Sequence, residues 1–370
     1  MRWRLVCDDA ASHSYGLAAD DALAGRVGAG DSESTLRLYS YQPCALVGRF
    51  QTLDNELDRQ ACASRDMPVN RRPTGGGAIV MGPDQLGVAL TVPAQGTDAY
   101  ASARSLMAHF AQGLVAGLSH LGVNAGFRGK NDLEVQGKKI AGLGVYRHEN
   151  DGMLFHASVL LDLDVAMMLQ VLKTPFEKIT DKEIATVGAR TSTVRKEAGA
   201  PIEFDELRRA IARGFAHSFK VQLDPGSFTP AELEDITTLE LDKYLQPEWV
   251  DQRIEVPDSF GEAKRKTPGG LLEVRVTQAG RAMKAVFIGG DFFAPEGAIA
   301  DLEARLRWHS TSPRKIRATL DEVYERWDQA LESLPCEVLH EVILEASELA
   351  LHQGATKQMS MYGCFVDPRG

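Results

Sequence analysis

Residues 130–161 read KNDLEVQGKKIAGLGVYRHENDGMLFHASVLL, and the fold turns on them. Asp132 to Val135 and Lys139 to Tyr146 are strand-like runs that meet at Gln136-Gly137, a dipeptide suited to a tight turn. Leu154 to Leu161 is a third run of the same kind. A hairpin followed by a further strand predicts a mainly antiparallel layout rather than a doubly wound parallel sheet. In such a hairpin Asp132 and Lys139 can share a side and reach one ligand. Lys139 would then be a mobile point charge able to stabilise anionic oxygens of that ligand.

Working outward toward the amino terminus, residues 1 to about 100 show short apolar runs broken by Gly and Pro, such as Leu36 to Tyr39, Ala45 to Val47 and Val88 to Val92. These read as strands. Asp54 to Asp66 reads as one polar helix that stops before Pro68. Ala101 to Leu121 reads as a longer one, with Leu106, Phe110, Leu114, Leu118 and Leu121 recurring at helical steps and Gly113 and Gly117 weakening it. Toward the carboxy terminus, helices fit Asp164 to Lys173, Phe204 to Phe219 and Thr229 to Tyr244, the last opened by the capping box Thr229-Pro-Ala-Glu232. Gln246 to Lys266 turns polar and reads as a linker. Beyond it come strands at Gly270 to Val276 and Met283 to Ile288, helices near Ile299 to Trp308 and Pro313 to Leu331, and a last helix from Glu337 to His352. The expectation is an α+β fold with a mixed, mainly antiparallel central sheet flanked by helices, plus a small α+β module. Its divisions would be a catalytic domain at 1–250, an accessory domain at 251–335, and a helical tail at 336–370 with no assigned role.

A chain of 370 residues with 44% hydrophobic composition can bury a sizeable core and exceeds one ordinary domain. The formal charge of -10 argues against a general nucleic-acid binder, since phosphate contacts require a basic surface. No leader-like or membrane-spanning apolar run is present, so the cytoplasm is the expected location. Cysteines at 7, 44, 62, 336 and 364 have no metal-site spacing and are expected to be reduced and mostly structural.

A second constellation is Arg71-Arg72-Pro73-Thr74-Gly75-Gly76-Gly77-Ala78. Three consecutive glycines let a ligand lie against the main chain where any Cβ would block it. The arginines supply fixed positive charge suited to phosphate or carboxylate. Read alone, the string is equally a tight turn with solvated arginines. It is neither a P-loop nor a dinucleotide-binding fingerprint, because no Gly-Lys-Ser/Thr follows and no GxGxxG opens a helix here. Lys139, Asp132 and His156 taken singly also have bland readings, as a solvated strand residue, a turn former and a structural histidine.

Taken together and in order, RRPTGGGA, KNDLEVQGKKIAGLG and LFHASVLLDLD resemble the lipoate-protein ligase family. QPCALVGRFQ at 42–51 and Gly188-Ala-Arg-Thr-Ser192 are similar to that family's first buried strand and later Arg-containing loop. Residues 266–276 and 288–293 look like its carboxy-terminal accessory domain, which in that family assists activation of the acid. The resemblance implies that lipoate, or octanoate, is activated with ATP and Mg2+ to an acyl-adenylate and passed to a lysine of a lipoyl carrier domain. Residue by residue, it implies that Lys139 is the essential lysine contacting the carboxylate and the adenylate phosphate. Asp132, supported by Asn131, would lie near the adenylate and magnesium, Arg71 or Arg72 would bind phosphate, and Gly75 to Gly77 would line the acyl tunnel. Thr74 and Gly142 belong to the same adenylate-binding set, and His156 would be structural or orienting. No covalent enzyme intermediate is implied.

The chain departs from the family pattern after the glycine loop, reading Ile79-Val-Met-Gly-Pro-Asp84 where many ligases end the strand in His-Asp. A methionine there can contact an apolar acyl chain. Two competing readings remain. An octanoyltransferase of the same superfamily would need a nucleophilic cysteine near the lysine and no ATP; none of the five cysteines lies between 62 and 336. A catalytically silent acyl-binding protein would show no turnover. A biotin-protein ligase has a different glycine loop. The identity of the carrier and the choice between lipoate and octanoate are not readable from the sequence.

Overall fold

The structure is a computed structural model and describes residues 1–49, 51, 53–95, 103–128, 131–173, 185, 187–251, 260–279 and 282–363. Lys130, residues 252–259 of the expected linker and residues 364–370 lie outside that set. The chain divides into two compact units, Met1–Gln252 and Arg253–Gly370.

The first unit is built on an eight-stranded sheet. In spatial order its strands are β11 (Gln222–Gly226), β1 (Arg2–Ala11), β2 (Thr35–Tyr41), β6 (Gln85–Pro93), β10 (Gly152–Leu160), β9 (Lys138–Arg147), β8 (Asp132–Val135) and β7 (Gly126–Arg128). Only β11, β1 and β2 run parallel; every other pairing is antiparallel, as the hairpin at 132–146 predicts. Gln136 and Gly137 both take positive φ, at 50° and 78°, which closes that hairpin tightly.

Helices cover both faces. Phe155 of β10 packs its ring 5.5 Å from Phe110 and 6.4 Å from Phe215, on helices Ala103–Ser119 and Phe204–Phe219. Those helices cross closely because Gly113, Gly117 and Gly214 meet at the crossing. A Cβ on Gly214 would lie 2.2 Å from the Gly117 nitrogen. The glycines that weaken the helix pattern in the sequence are therefore what lets the pair approach. On the opposite face lies a helix that the strand reading of residues 1–100 missed, α1 (His13–Ala29), capped by Ser12 and ended by Gly30 at φ 83°. Asp54 to Asp66 is also not one helix but two short ones, Leu53–Glu56 and Arg59–Ala63, because the Asp58 side chain caps the second. The capping box at Thr229 is formed as expected, and the helix it opens ends in a wider turn over Glu240–Tyr244.

A second, three-stranded sheet carries the glycine loop. Here β3 (Cys44–Val47) runs parallel to β4 (Val69–Arg71) and antiparallel to β5 (Ile79–Met81), so residues 72–78 form the connection between its outer strands.

The second unit contains the antiparallel strands β12 (Phe260–Thr267), β13 (Gly270–Ala279), β14 (Ala282–Gly290) and β15 (His309–Ser310). The expected linker thus ends before Phe260, since residues 260–266 pair as a strand. The helix Cys336–Gly363 packs against this sheet, close enough that a Cβ on Gly261 would strike the Ala346 carbonyl. Residues 336–352 of the expected tail therefore pack as part of the second unit, with Leu339, Val342, Ile343, Ala346 and Ala350 buried. Among the described residues no helix is long and apolar enough to cross a membrane.

Candidate functional site

Alternation along β10 sends Phe155 into the helix-covered core and His156 to the other face, toward the glycine loop. There His156 Nε2 lies 2.8 Å from Thr74 Oγ1. Burial, reinforced by the Arg72 charge, pushes the His156 pKa down to about 3, so the ring is neutral. Gly144, opposite it on β9, leaves room for the imidazole: a Cβ there would fall 2.3 Å from Nε2.

Between this face and the loop lies a cavity lined by Arg72, Gly75, Gly76, Gly77, Asn131, Lys139, Gly142 and His156. All eight belong to the set expected from sequence. At the rim Lys139 Nζ is 2.7 Å from Asp132 Oδ1. The geometry follows from the hairpin register, in which Asp132 pairs with Gly142 and Glu134 with Lys139 across an irregularity. With no side chain opposite Asp132, the lysine tip can turn into the gap; a Cβ on Gly142 would stand 3.2 Å from Nζ. The Lys139 backbone is held on both sides, its N–H donating to the Arg190 carbonyl and its carbonyl accepting from Ser192. The loop Gly188 to Ser192, picked out in the sequence, thus fixes the lysine through the main chain. Asn131 exchanges bonds with Leu143, its side chain donating to that carbonyl at 3.2 Å.

The paired arginines separate. Arg72 lines the cavity, and its guanidinium donates to the carbonyls of Leu46, Gly75 and Gly77, shaping the glycine loop from within. Arg71 does not line it. Its side chain is fully buried elsewhere and donates to five carbonyls, those of Gly48, Arg49, Gln51, Trp249 and Val250. Those bonds consume its donors, so of the two arginines expected at the ligand only Arg72 reaches the cavity. Burial lowers both pKa values, to about 9 and about 10, which leaves both charged at neutral pH. Thr74 also stays behind the lining, as the partner of His156.

Several lining residues escaped the sequence reading: Leu17 and Asp20 from α1, Tyr39 and Tyr41 from β2, and Leu46 from β3. Met81, singled out as a departure, is buried and on the wall. Asp20 accepts from Arg37 at 2.8 Å and from Tyr39 Oη at 3.2 Å. Among the described residues no cysteine lines the cavity, and Cys44, Cys62, Cys7 and Cys336 are free thiols. Cys44, on β3, is buried, which drives its thiol up to about 12.

Residues 12–216, which hold this whole constellation, match the lipoyl protein ligase A/B catalytic domain. The chain belongs to that family. Among curated relatives, octanoyltransferase LipM of Kyrpidia tusciae is 31% identical over 273 residues, covering 67% of this chain and 97% of the relative. Octanoyltransferase LipM of Symbiobacterium thermophilum is 28% identical with similar coverage. Among solved structures, the bipartite lipoate protein ligase of Thermoplasma acidophilum, described with its E2 lipoyl domain, superposes with a TM-score of 0.61 at 26% identity. It covers 69% of this chain and 99% of that one. LipL1 of P. falciparum in complex with lipoate shares the fold over 89% of this chain and 99% of its own, with a TM-score of 0.67 at 17% identity. The family is thus the one resembled in the sequence, while the curated relatives carry the name of the transferase branch rather than that of the ligase.

Proposed function

We propose that this chain transfers an octanoyl or lipoyl group to the lysine of a lipoyl carrier domain in the cytoplasm, with Lys139 at the reacting acyl oxygen. The observation that carries the reading is the Lys139 ammonium, backbone-fixed and paired with Asp132 at the rim of a cavity walled by Gly75 to Gly77. Such a charge stabilises the oxyanion that develops when the carrier amine attacks the acyl carbon. The Thermoplasma structure's lipoyl domain supports a carrier of that type as acceptor.

Two donors are compatible with this step. The relatives' printed name, octanoyltransferase, favours transfer of an octanoyl group over activation of free lipoate with ATP, and the donor proposed for that route is an octanoyl thioester. One observation favours the ATP route: a cysteine acyl-enzyme needs a thiol in the cavity, no described lining residue supplies one, and Cys44 is held protonated in the core. In that route the acid's carboxylate displaces pyrophosphate from ATP, and the carrier amine then displaces AMP. Among the described residues no cluster of three or more His, Cys, Asp or Glu could hold a metal. A magnesium ion bound through the nucleotide's phosphates would have Asp132 as its carboxylate, consistent with the sparse protein ligation usual for that ion.

The test is purified full chain with an apo lipoyl domain, read by intact mass. One arm has an octanoyl thioester donor and no ATP; the other has lipoate or octanoate with MgATP. Acylation in either arm that vanishes in Lys139→Ala supports the reading, and the productive arm identifies the donor. Lys139→Ala with undiminished acylation would sink it.

A further inference from the structure

The cavity is wet at one end and closed at the other. Leu17, Asp20 and Tyr41 at its closed end are each 5% exposed or less, whereas the Lys139 side chain at the rim is 37% exposed. Core packing therefore does not fix the lysine. Its tip is held by Asp132, and its main chain has to be held by whatever lies along β9 at that point.

That neighbour is not β10. The ladder between β9 and β10 ends at the pair Ala141 and Val159, after which the chain turns aside and the Leu161 N–H donates to the Asp84 carbonyl. On the Lys139 side of that pair, residues 190–192 take the place of β10, with Thr191 opposite Lys139 in a parallel bridge. Both main-chain groups of Lys139 are paired there, with the Arg190 carbonyl at 2.9 Å and the Ser192 N–H at 2.8 Å.

Such a loop can hold a lysine no better than it is held itself. Ser192 is buried, and its hydroxyl donates to the Glu197 carboxylate, a charged acceptor and so a stronger one than a neutral group. Glu197 lies on the short helix Val194–Ala198, which has its own anchors. Thr193 caps it, Val194 is fully buried, and Arg195 donates to the Ile202 carbonyl and pairs with Asp162. We propose that Glu197 is a positioning residue for acyl transfer: through Ser192 it fixes the loop that grips the Lys139 main chain, and so the place of the ammonium at the acyl oxygen. This rests on the acyl-transfer reading above and adds to it a residue outside the cavity lining.

Glu197→Ala, Glu197→Gln and Ser192→Ala in the full chain test this with two readouts. Amide hydrogen exchange at Lys139 and Ser192 reports the grip, and kcat and KM for acylation of an apo lipoyl domain report its consequence. Glu197→Ala and Ser192→Ala should each speed exchange at both amides about tenfold, the loss of one bond to a charged acceptor. Each should lower kcat about tenfold as the lysine loses its place, with KM for the acyl donor within about twofold of wild type because the cavity wall is untouched. Glu197→Gln keeps an acceptor oxygen for the Ser192 hydroxyl and should restore both readouts to within about threefold. Combining Glu197→Ala with Ser192→Ala should slow transfer no further than either alone, since both remove the same bond. Unchanged exchange in Glu197→Ala, faster exchange with unchanged kcat, or a Glu197→Gln protein as impaired as Glu197→Ala overturns this inference alone. A wild type that transfers no acyl group from any donor overturns the acyl-transfer reading and this inference with it.

Discussion

Replacing Gly48 by alanine tests whether the glycine loop is held in place by backbone contact rather than by its own sequence. A Cβ at residue 48 would lie 2.0 Å from the Gly76 carbonyl oxygen, where ordinary contact begins at 3.4 Å. The shortfall is about 1.4 Å, and no flexible side chain can absorb it, since the struck atom is main chain. Neither side yields easily. Arg49 N–H donates to the Thr74 carbonyl at 2.8 Å, Gly48 N–H to Gln51 Oε1 at 2.9 Å, and the buried Arg71 guanidinium to the Gly48 carbonyl. The added methyl group should cost about 1–3 kcal/mol as overpacking. It should also move Gly75 to Gly77 by about 1 Å relative to Lys139, a displacement that can lower turnover on the order of 100-fold. Urea unfolding reports the first effect. Acylation of an apo lipoyl domain, followed by mass, reports the second. A variant with the wild-type unfolding midpoint and transfer within threefold of wild type would refute the argument that Gly48 sets the loop.

Gly77→Ala is the contrasting case: its Cβ would meet nothing within 4 Å, so stability should hold within about 0.5 kcal/mol, while KM for the acyl donor rises because the methyl enters the cavity wall. Arg71→Lys should lower unfolding free energy by about 3 kcal/mol, since one ammonium cannot replace a fork reaching five carbonyls, and the folded enzyme should keep its donor KM within twofold. His156 carries a pH signature. Its folded pKa of about 3 lies below the ordinary 6.5, so between those values the unfolded chain binds the extra proton and stability falls as pH falls. Urea unfolding between pH 5 and 6.5 should show the wild type losing about 1 kcal/mol per pH unit more than His156→Gln. Parallel slopes for the two proteins would contradict a neutral, buried His156.

How far the sequence reaches can be seen residue by residue. The hairpin at 132–146 is legible because alternation and a Gln-Gly turn act over a few residues, and its register brings Lys139 and Asp132 together without help from the rest of the chain. The separate fates of Arg71 and Arg72 were also within reach in principle. Adjacent residues at a strand end point to opposite sides, so one of two consecutive arginines was bound to turn away from any ligand the other met. What adjacency alone does not say is which one.

The closed end of the cavity was illegible for a different reason. It depends on α1, whose residues are buried around nearly the whole circumference, so apolar periodicity, the usual sign of a helix, is missing from HSYGLAADDALAGRVGA. The readable sign was polar instead: two consecutive aspartates in a run of alanine, glycine and leucine have to be explained, since buried carboxylates persist only when paired. In the fold they diverge. Asp20 turns to Arg37 and Tyr39 at the cavity, and Asp21 to Lys243 and Tyr244 on the helix that follows Thr229. One segment therefore ties the cavity's closed end to the outer helix layer. Substitutions at Asp21 should accordingly be felt as lost stability, and those at Asp20 also as altered choice of acyl group.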